Sequence, residues 1–154
     1  MIVNKISLDS NILIYAEGTD DIAKRNIVIP LIDRIGRDNL LLTMQAAGET
    51  LRWLIGRGKL DPRVAIRKMQ RWFAQSTTLP MSVSCFNSAC HIIERHSFQI
   101  WDAAILAASA EANADVLLSE DMQHGFTWQG VTIVSPFKLT EKELLELVPQ
   151  KTLH

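Results

Sequence analysis

The pattern that most limits the fold of this chain is an alanine-rich helix that leads directly into a short apolar strand. Residues 98–125 read FQIWDAAILAASAEANADVLLSEDMQHG, with Asp102 at the start of the helical run and residues 116–118 as the strand. Three polar residues follow the strand at once, namely Ser119, Glu120 and Asp121. Ligands of open α/β sheets bind beyond the carboxyl ends of the strands. We therefore expect acidic side chains to collect at such an edge.

Further short apolar segments alternate with helical patterns along the chain. We predict strands at residues 2–8, 39–43, 79–83, 116–118 and 131–134. Helical patterns cover residues 12–16, about 21–35, 45–56, 62–74, 84–96, 102–112 and 141–147. Strands that alternate with helices favour a parallel sheet covered on both faces. The predicted fold class is α/β, a three-layer α/β/α sandwich with a central parallel sheet of four to five strands.

Helix-start and helix-stop residues refine these boundaries. Asp20 or Asp21 can begin the second helix, and Pro30 is expected to kink or split it. Asp61 followed by Pro62 is typical of a helix start. Thr140 with a glutamate three residues later predicts a capping box for a C-terminal helix.

Length, charge and cysteine content narrow the class of protein. A chain of 154 residues fits one domain with a substantial core. No apolar run approaches the roughly 18 residues of a membrane span, and no secretory leader is recognisable. Two cysteines without metal-site spacing suggest reduced thiols and a cytoplasmic location. Residues 52–71 carry seven bases and one acid, whereas residues 102–154 carry eight acids and three lysines, which fits a polyanion held near a cation site.

Four carboxylates are candidates for a shared site. Asp9 ends the first strand and Asp121 lies just past the fourth, whereas Glu49 and Asp102 lie among apolar neighbours on helices. A carboxylate on a core-facing stripe is costly unless it is paired, protonated or bound to a cation. Converging carboxylates raise one another's pKa, and Mg²⁺ or Mn²⁺ removes that cost through oxygen ligation. Singly, each residue also fits an ordinary role as a helix cap, rim residue or turn residue.

These segments together resemble the PIN-domain ribonucleases, most closely the VapC-type toxins of toxin–antitoxin pairs. The resemblance rests on LDSNILIY, a glutamate on the helix after the second strand, WDAAILAAS and LLSED. It covers residues 3 to about 136 of a single PIN-like domain spanning residues 1–154, so the helix at residues 140–150 lies beyond the motifs. By resemblance Asp9, Glu49, Asp102 and Asp121 are the catalytic acids. Glu120 competes with Asp121 for the fourth position.

The resemblance implies a divalent-metal-dependent endoribonuclease. Asp9, Asp102 and Asp121 would hold Mg²⁺ or Mn²⁺, and Glu49 would bind a second ion or orient the attacking water. Asn11 and Ser119 would orient the carboxylates. The metal-activated water would leave a 5′-phosphate and a 3′-hydroxyl.

The resemblance also implies partners for such a nuclease. Arg52 and Arg57 are candidates for contacts to RNA phosphates. The implied protein partners are a cognate antitoxin and a second copy of the chain. Apolar residues at 27–35 and 53–54 would supply the homodimer interface. The tryptophans have mostly apolar neighbours, which favours core or interface positions over base stacking.

Other classes fit the pattern less well. A haloacid-dehalogenase-like phosphatase needs an aspartate at position 11, where this chain has Asn11. A response-regulator receiver needs an acid pair after the first strand and a phosphorylatable aspartate after the third, and neither is present. A catalytically silent PIN-like module that binds RNA or protein stays open, and metal binding separates it from the nuclease.

Overall fold

Four apolar segments form the centre of one sheet. The computed structural model describes residues 5–18 and 21–148. Strands β1 (Ile6–Leu8), β2 (Leu40–Thr43), β4 (Val116–Leu118) and β6 (Val131–Val134) are almost entirely buried. β1 pairs in parallel with β2 on one side and β4 on the other, and β4 pairs in parallel with β6. The predicted parallel sheet is therefore confirmed, with continuous apolar strands as expected for a sheet covered on both faces.

The edge strands differ from the prediction. β3 is Thr77–Leu79 rather than residues 79–83, because Pro80 lacks the N–H that a ladder needs and Ser82 caps the next helix. A sixth strand, β5 (Thr127–Trp128), pairs antiparallel with β6. The sheet order is β3-β2-β1-β4-β6-β5. The two-residue β5 was missed because so short a segment has no periodicity of its own.

Seven α-helices surround the sheet in the described ranges. They are α1 (Ser10–Gly18), α2 (Ile22–Ile35), α3 (Met44–Gly56), α4 (Pro62–Ala74), α5 (Val83–Arg95), α6 (Ile100–Glu111) and α7 (Glu141–Leu147). The chain moves from β1 to β2 to β3 in one direction and then crosses back to β4. Right-handed crossovers therefore place α1 to α4 on one face and α5 and α6 on the other, as a three-layer sandwich requires. None of the helices described is both long and apolar enough to cross a membrane.

The helix caps predicted from the sequence agree with the structure, whereas the split predicted as one effect of Pro30 does not occur. Asp21 caps α2, Asp61 caps α4 before Pro62, and Thr140 forms the predicted capping box. Pro30 does not split α2, which is continuous from Ile22 to Ile35. The buried side chains on both sides of the proline hold the helix together despite one missing hydrogen bond. Residues 2–4 of the predicted first strand and Asp20 lie outside the described residues.

The two central strands define the edge where a site can form. From β1 the chain continues to β2 on one side of the sheet. From β4, on the other side of β1, it continues outward to β6. The carboxyl ends of β1 and β4 therefore flank the point at which the strand order reverses, which is the usual ligand crevice of a doubly wound fold. The backbone N–H of Asp9 donates to the carbonyl of Leu118 at 2.9 Å and ties the two strand ends together.

Candidate active site

Asp9 is the buried centre of the acidic edge. It directly follows β1 and has 3% of its surface exposed. One carboxylate oxygen accepts from the Ser10 backbone N–H at 2.7 Å, and the other accepts from Ser119 Oγ at 2.8 Å and Asn11 Nδ2 at 3.2 Å. These donors fix the orientation of the carboxylate between the ends of β1 and β4.

Burial dominates the protonation of Asp9. Desolvation raises the pKa of Asp9 from 3.8 to about 6, against the lowering effect of the hydrogen bonds from Ser119 and Ser10. The negative charges of Asp102 and Glu49 raise it further. The carboxylates from three different elements are therefore close enough to interact electrostatically.

Glu49 reaches the site from the middle of α3. Its Oε2 accepts from Ser10 Oγ at 2.9 Å, and its Oε1 accepts from Gln45 Nε2 at 2.9 Å. Ser10 thus stands between the carboxylates of Asp9 and Glu49. Glu49 is half-buried, so its position on the apolar stripe is at the rim rather than in the core.

Asp102 lies in the first turn of α6, half-buried above a core that includes Ile105 and Leu106. Desolvation raises the pKa of Asp102, and the charges of Glu49 and Asp121 raise it further, whereas a hydrogen bond with Gln99 lowers it. Gln99 is also the N-cap of α6. The helix therefore begins before Asp102, and the carboxylate faces the acidic edge without being the cap.

Asn11 connects the first and fourth acids. Its Nδ2 donates to Asp121 Oδ2 at 3.2 Å as well as to Asp9, and its Oδ1 accepts from the Glu120 backbone N–H at 3.2 Å. One amide side chain therefore positions the loop after β4 against the loop after β1. Of the two acids in that loop, Asp121 is the one held toward the other carboxylates.

Glu120 is paired with a lysine. Its Oε1 accepts from Lys24 Nζ at 2.9 Å and from the Tyr15 hydroxyl at 3.0 Å. Lys24 Nζ also lies 5.0 Å from the Tyr15 ring centroid and 5.2 Å from that of Phe137. Lys24 therefore neutralises the charge of Glu120, whereas Asp121 has no ion pair in the described chain. Glu120 also lines the cleft that contains Asp102 and Asp121, and its Oε2 is buried without a hydrogen-bond partner among the described residues.

The four candidate acids lie together at one edge of the sheet without a basic partner in the described chain. Within residues 5–18 and 21–148, none of them forms an ion pair with a lysine or arginine, although all lie at one edge of the sheet. These are Asp9, Glu49, Asp102 and Asp121. Uncompensated negative charge of this kind favours protonation or a bound cation.

The donor set fits a hard divalent cation in its chemistry. It consists of oxygen atoms alone, which is the preference of Mg²⁺ and Mn²⁺. As placed, no three acidic, histidine or cysteine residues of the described chain converge on one point suitable for a metal. Mg²⁺ usually retains several waters and is bound through one or two carboxylates, so the arrangement is compatible with an ion held partly through water.

Two clefts meet at the acidic edge. One has a volume of about 640 Å³ and is lined by Asp102 and Asp121 together with Gln99 and His124. The other, of about 620 Å³, is lined by Ser10, Gln45, Glu49, Arg52, Trp53, Gln99 and Trp101 among others. Gln99 borders both, so the two clefts adjoin at this side chain.

Some bases of the basic segment line the second cleft, and others form ion pairs away from it. Arg52 and Arg57 are exposed and line the second cleft beside Glu49. Lys68 instead pairs with Glu17 at 2.9 Å, and Arg63 lies 3.4 Å from Asp61. The two arginines named as candidate phosphate contacts are thus the ones next to the acids.

Most apolar residues at 27–35 and 53–54, the segments proposed for a homodimer interface, are buried, whereas Ile27, Ile29 and Trp53 are partly exposed. Leu31 and Leu54 are 0% and 2% exposed. Val28, Ile32 and Ile35 are also buried within the chain. The interior of this chain uses most of the apolar side chains that the sequence offered for an interface.

Sequence analysis missed several polar residues of the site. Gln45 holds Glu49, Gln99 contacts Asp102, and Ser10 joins Asp9 to Glu49. Their polarity gives no signal by itself, because glutamine and serine are common on helix surfaces. Ser10 had one usable signal, its place in the DSN cluster at the helix start.

No protein-family model matches the chain, and no curated protein matches its sequence. Solved structures do match. VapC20 of Mycobacterium tuberculosis, described as a Sarcin-Ricin loop cleaving toxin, aligns with a TM-score of 0.63 and 16% identity over 73% of this chain and 87% of that one. A toxin–antitoxin complex from Klebsiella pneumoniae contains a chain that matches with a TM-score of 0.64 and 16% identity, over 88% of this chain and 100% of that chain.

A third solved structure, VapBC2 from Rickettsia felis bound to a DNA fragment from their promoter, aligns with a TM-score of 0.52 and 16% identity, over 77% of this chain and 86% of that one. The fold and the acids together define a doubly wound α/β protein with an acidic site at the switch point of its sheet. Its fold is that of the VapC-type toxins, which confirms the fold expected from the resemblance to PIN-domain proteins.

Proposed function

We propose that this protein is a divalent-metal-dependent endoribonuclease that acts as the toxin of a toxin–antitoxin pair. The observation that carries the proposal is the group of four carboxylates without lysine or arginine partners in the described chain, one of them buried, at the switch point of a VapC-type fold. The coarser statement, a toxin fold shared with nucleases, is supported by the structural neighbours.

The proposed reaction is hydrolysis of an RNA phosphodiester. A water oxygen forms a new bond to phosphorus, the bond to the 3′ oxygen breaks, and that oxygen takes up a proton, leaving a 5′-phosphate and a 3′-hydroxyl. Mg²⁺ or Mn²⁺, when bound, lowers the pKa of water and offsets the charge of the phosphate. Asp9, Asp102 and Asp121 are the proposed metal ligands.

The remaining residues position these groups. Glu49, half-buried beside Ser10, is proposed to orient the attacking water or accept its proton. Asn11 holds Asp121 and Asp9 in a common orientation, and Ser119 supports Asp9. Arg52 and Arg57 line the second cleft and are proposed to contact RNA phosphates.

The partner proposed for this site is an antitoxin whose basic segment occupies the acidic edge. One structural neighbour is described as a toxin–antitoxin complex, and another as VapBC2 bound to a DNA fragment from their promoter. An arginine from such a partner would compete with the metal ion for the uncompensated carboxylates. A homodimer is also proposed, and Ile27, Ile29 and Trp53 are the apolar residues of the proposed interface segments that stay partly exposed.

The central experiment measures cleavage of a structured RNA by partner-free protein with and without Mg²⁺ or Mn²⁺. Asp9→Asn and Asp102→Asn are the test variants. Asp38→Asn is the matched control, because Asp38 is exposed just before β2 and thus at the opposite edge of the sheet. We expect metal-dependent cutting in the wild type and in Asp38→Asn, and a loss of at least about 100-fold in the other two.

The competing function is a catalytically silent module that binds RNA or protein. It is favoured by one observation, the absence of a ready three-residue metal group among the described residues. Calorimetry with Mn²⁺ separates the two. No Mn²⁺ binding together with no cutting would establish the silent module, whereas Mn²⁺ binding that requires Asp9 and Asp102 would exclude it.

A further inference from the structure

A large aromatic side chain is exposed beside the acidic edge. Trp101 lies in the first turn of α6, directly before Asp102, and 45% of its surface is accessible. The apolar neighbours in the sequence favoured a core or interface position. Trp72 does occupy the core at 7% exposure, whereas Trp101 does not. Exposing an indole costs hydrophobic free energy, so a solvent-facing tryptophan next to a functional site is a candidate contact for a ligand.

Two cationic side chains border the same cleft. Arg52 and Arg57 line it together with Trp101, and in the described part of the chain neither forms an ion pair. Glu49 and Gln99 complete the boundary with the carboxylates. We call this surface the tryptophan cleft, defined by Glu49, Arg52, Arg57, Gln99 and Trp101. The half-buried Trp53 also lines it, and Trp101 is the more exposed of the two tryptophans.

This combination matches one chemical class of ligand. Single-stranded nucleic acid presents bases with free faces next to phosphates, and proteins bind it by aromatic stacking together with basic groups that follow the backbone. A base inside a duplex already stacks on its neighbours and cannot offer a face to Trp101. A cleft with this lining would therefore favour unpaired over paired RNA.

We propose that the tryptophan cleft binds one unpaired nucleotide next to the cleaved bond. Its base stacks on Trp101, and its phosphate contacts Arg52 and Arg57. The position of this nucleotide next to the cleaved bond rests on the proposed nuclease function. Binding of an unpaired nucleotide does not depend on that function. Trp101 is thus a specificity residue, and it selects loops and single strands over helices.

The test measures binding of a short 2′-O-methyl RNA, single-stranded or annealed to its complement, by fluorescence anisotropy with Ca²⁺ replacing Mg²⁺. Trp101→Ala is expected to weaken single-strand binding roughly 10- to 100-fold and duplex binding much less. Trp101→Phe, which keeps a stacking surface, is expected to restore most of the affinity. Arg52→Gln is expected to weaken both ligands and to reduce the dependence of affinity on salt.

Matched controls come from the far side of the molecule. Phe86 is an exposed aromatic residue on α5 with 47% of its surface accessible, and it lines neither cleft. Arg37 is exposed just before β2, at the opposite edge of the sheet. Phe86→Ala and Arg37→Gln are expected to bind like the wild type. Equal single-strand affinity for Trp101→Ala and the wild type would overturn the proposal.

The outcomes also separate this inference from the proposed function. Cleavage that is intact in Trp101→Ala, with an unchanged KM and unchanged preference for single strands, overturns the nucleotide site and leaves the nuclease standing. Trp101-dependent binding in a protein that does not cut supports the site without the nuclease. If RNA binding is unchanged but a basic antitoxin peptide binds less tightly to Trp101→Ala, the cleft belongs to a protein partner and the proposal is wrong.

Discussion

Asp9 shows how one residue ties stability to the proposed chemistry. The unfolded carboxyl releases its proton near pH 4, whereas burial raises the pKa of the folded one to about 6. Between these values the folded state binds a proton that the unfolded state has lost, so the free energy of unfolding falls as the pH rises from about 4 to about 6. A shift of this size corresponds to about 3 kcal/mol.

We therefore predict that Asp9→Asn gains stability relative to the wild type across that pH interval, by up to about 3 kcal/mol, in EDTA. Urea unfolding at several pH values measures the difference. A difference that does not change with pH would show that Asp9 titrates normally in the folded protein. Asp38→Asn, which removes an exposed carboxylate, is the control and should show no comparable trend.

Ser119 stabilises the fold and also affects the protonation of Asp9, and one substitution tests both roles. Its hydroxyl donates to Asp9 at 2.8 Å and accepts from the Met122 backbone N–H at 3.2 Å, in a fully buried position. Ser119→Ala is expected to destabilise the protein by about 1–3 kcal/mol, since the buried N–H loses its acceptor.

The same change should move the titration of Asp9. The Ser119 hydrogen bond lowers the pKa of Asp9, so Ser119→Ala raises it and extends the pH interval of declining stability upward. Ser119→Thr keeps the hydroxyl and is expected to keep the wild-type profile. Identical pH profiles for Ser119→Ala and the wild type would contradict the role assigned to this hydroxyl.

At the scale of elements, Pro30 lowers the stability of α2. Pro30 lies inside a 14-residue helix, is exposed, and leaves one carbonyl without its usual helical donor. Pro30→Ala restores that donor and removes no buried packing. We expect a gain of about 1–2 kcal/mol, because the helical gain exceeds the entropy that proline removes from the unfolded chain. Thermal and urea unfolding measure it, and a loss of stability would mean that the local backbone is adapted to proline.

Element boundaries were predictable where a residue has a strong local preference. Asp61 with Pro62 and Thr140 with Glu143 begin helices as expected, because capping is decided within one turn. β3 was misplaced and β5 was missed, because two- and three-residue edge strands form where a neighbouring strand offers hydrogen bonds. Such strands depend on their partners more than on their own residues.

At the scale of the whole molecule, the proposed ion should act as a ligand of the folded state alone. The acids come from residues 9, 49, 102 and 121, so the unfolded chain does not hold them together. Binding then stabilises by about 2.7 kcal/mol at a free ion concentration 100 times the Kd. We predict that Mn²⁺ raises the Tm of the wild type and of Asp38→Asn, but not that of Asp9→Asn. Equal shifts in all three would indicate general ion binding to the surface.

Local sequence patterns, and the family resemblance that they support, predicted the parallel α/β sandwich. They also predicted where the central strands lie along the chain and which acids are candidates for the site. Apolar strands, helix caps and short motifs are properties of neighbouring residues, so a linear chain displays them. The roles of those acids stay predictions, although their placement at one edge is now described. The contacts that distinguish Asp121 from Glu120, by contrast, join residues more than 90 positions apart.

The exposure of the tryptophans and the burial of the apolar residues of α2 and α3 also depend on contacts between distant residues. Periodicity shows that a side chain is apolar, whereas its exposure depends on which elements pack against it. Leu54 is buried because α3 packs into the fold, and Trp101 is exposed because nothing in the described chain covers the start of α6 on that side. Burial and long-range pairing depend on contacts between segments that are distant in the sequence. Only the tertiary structure could therefore decide them.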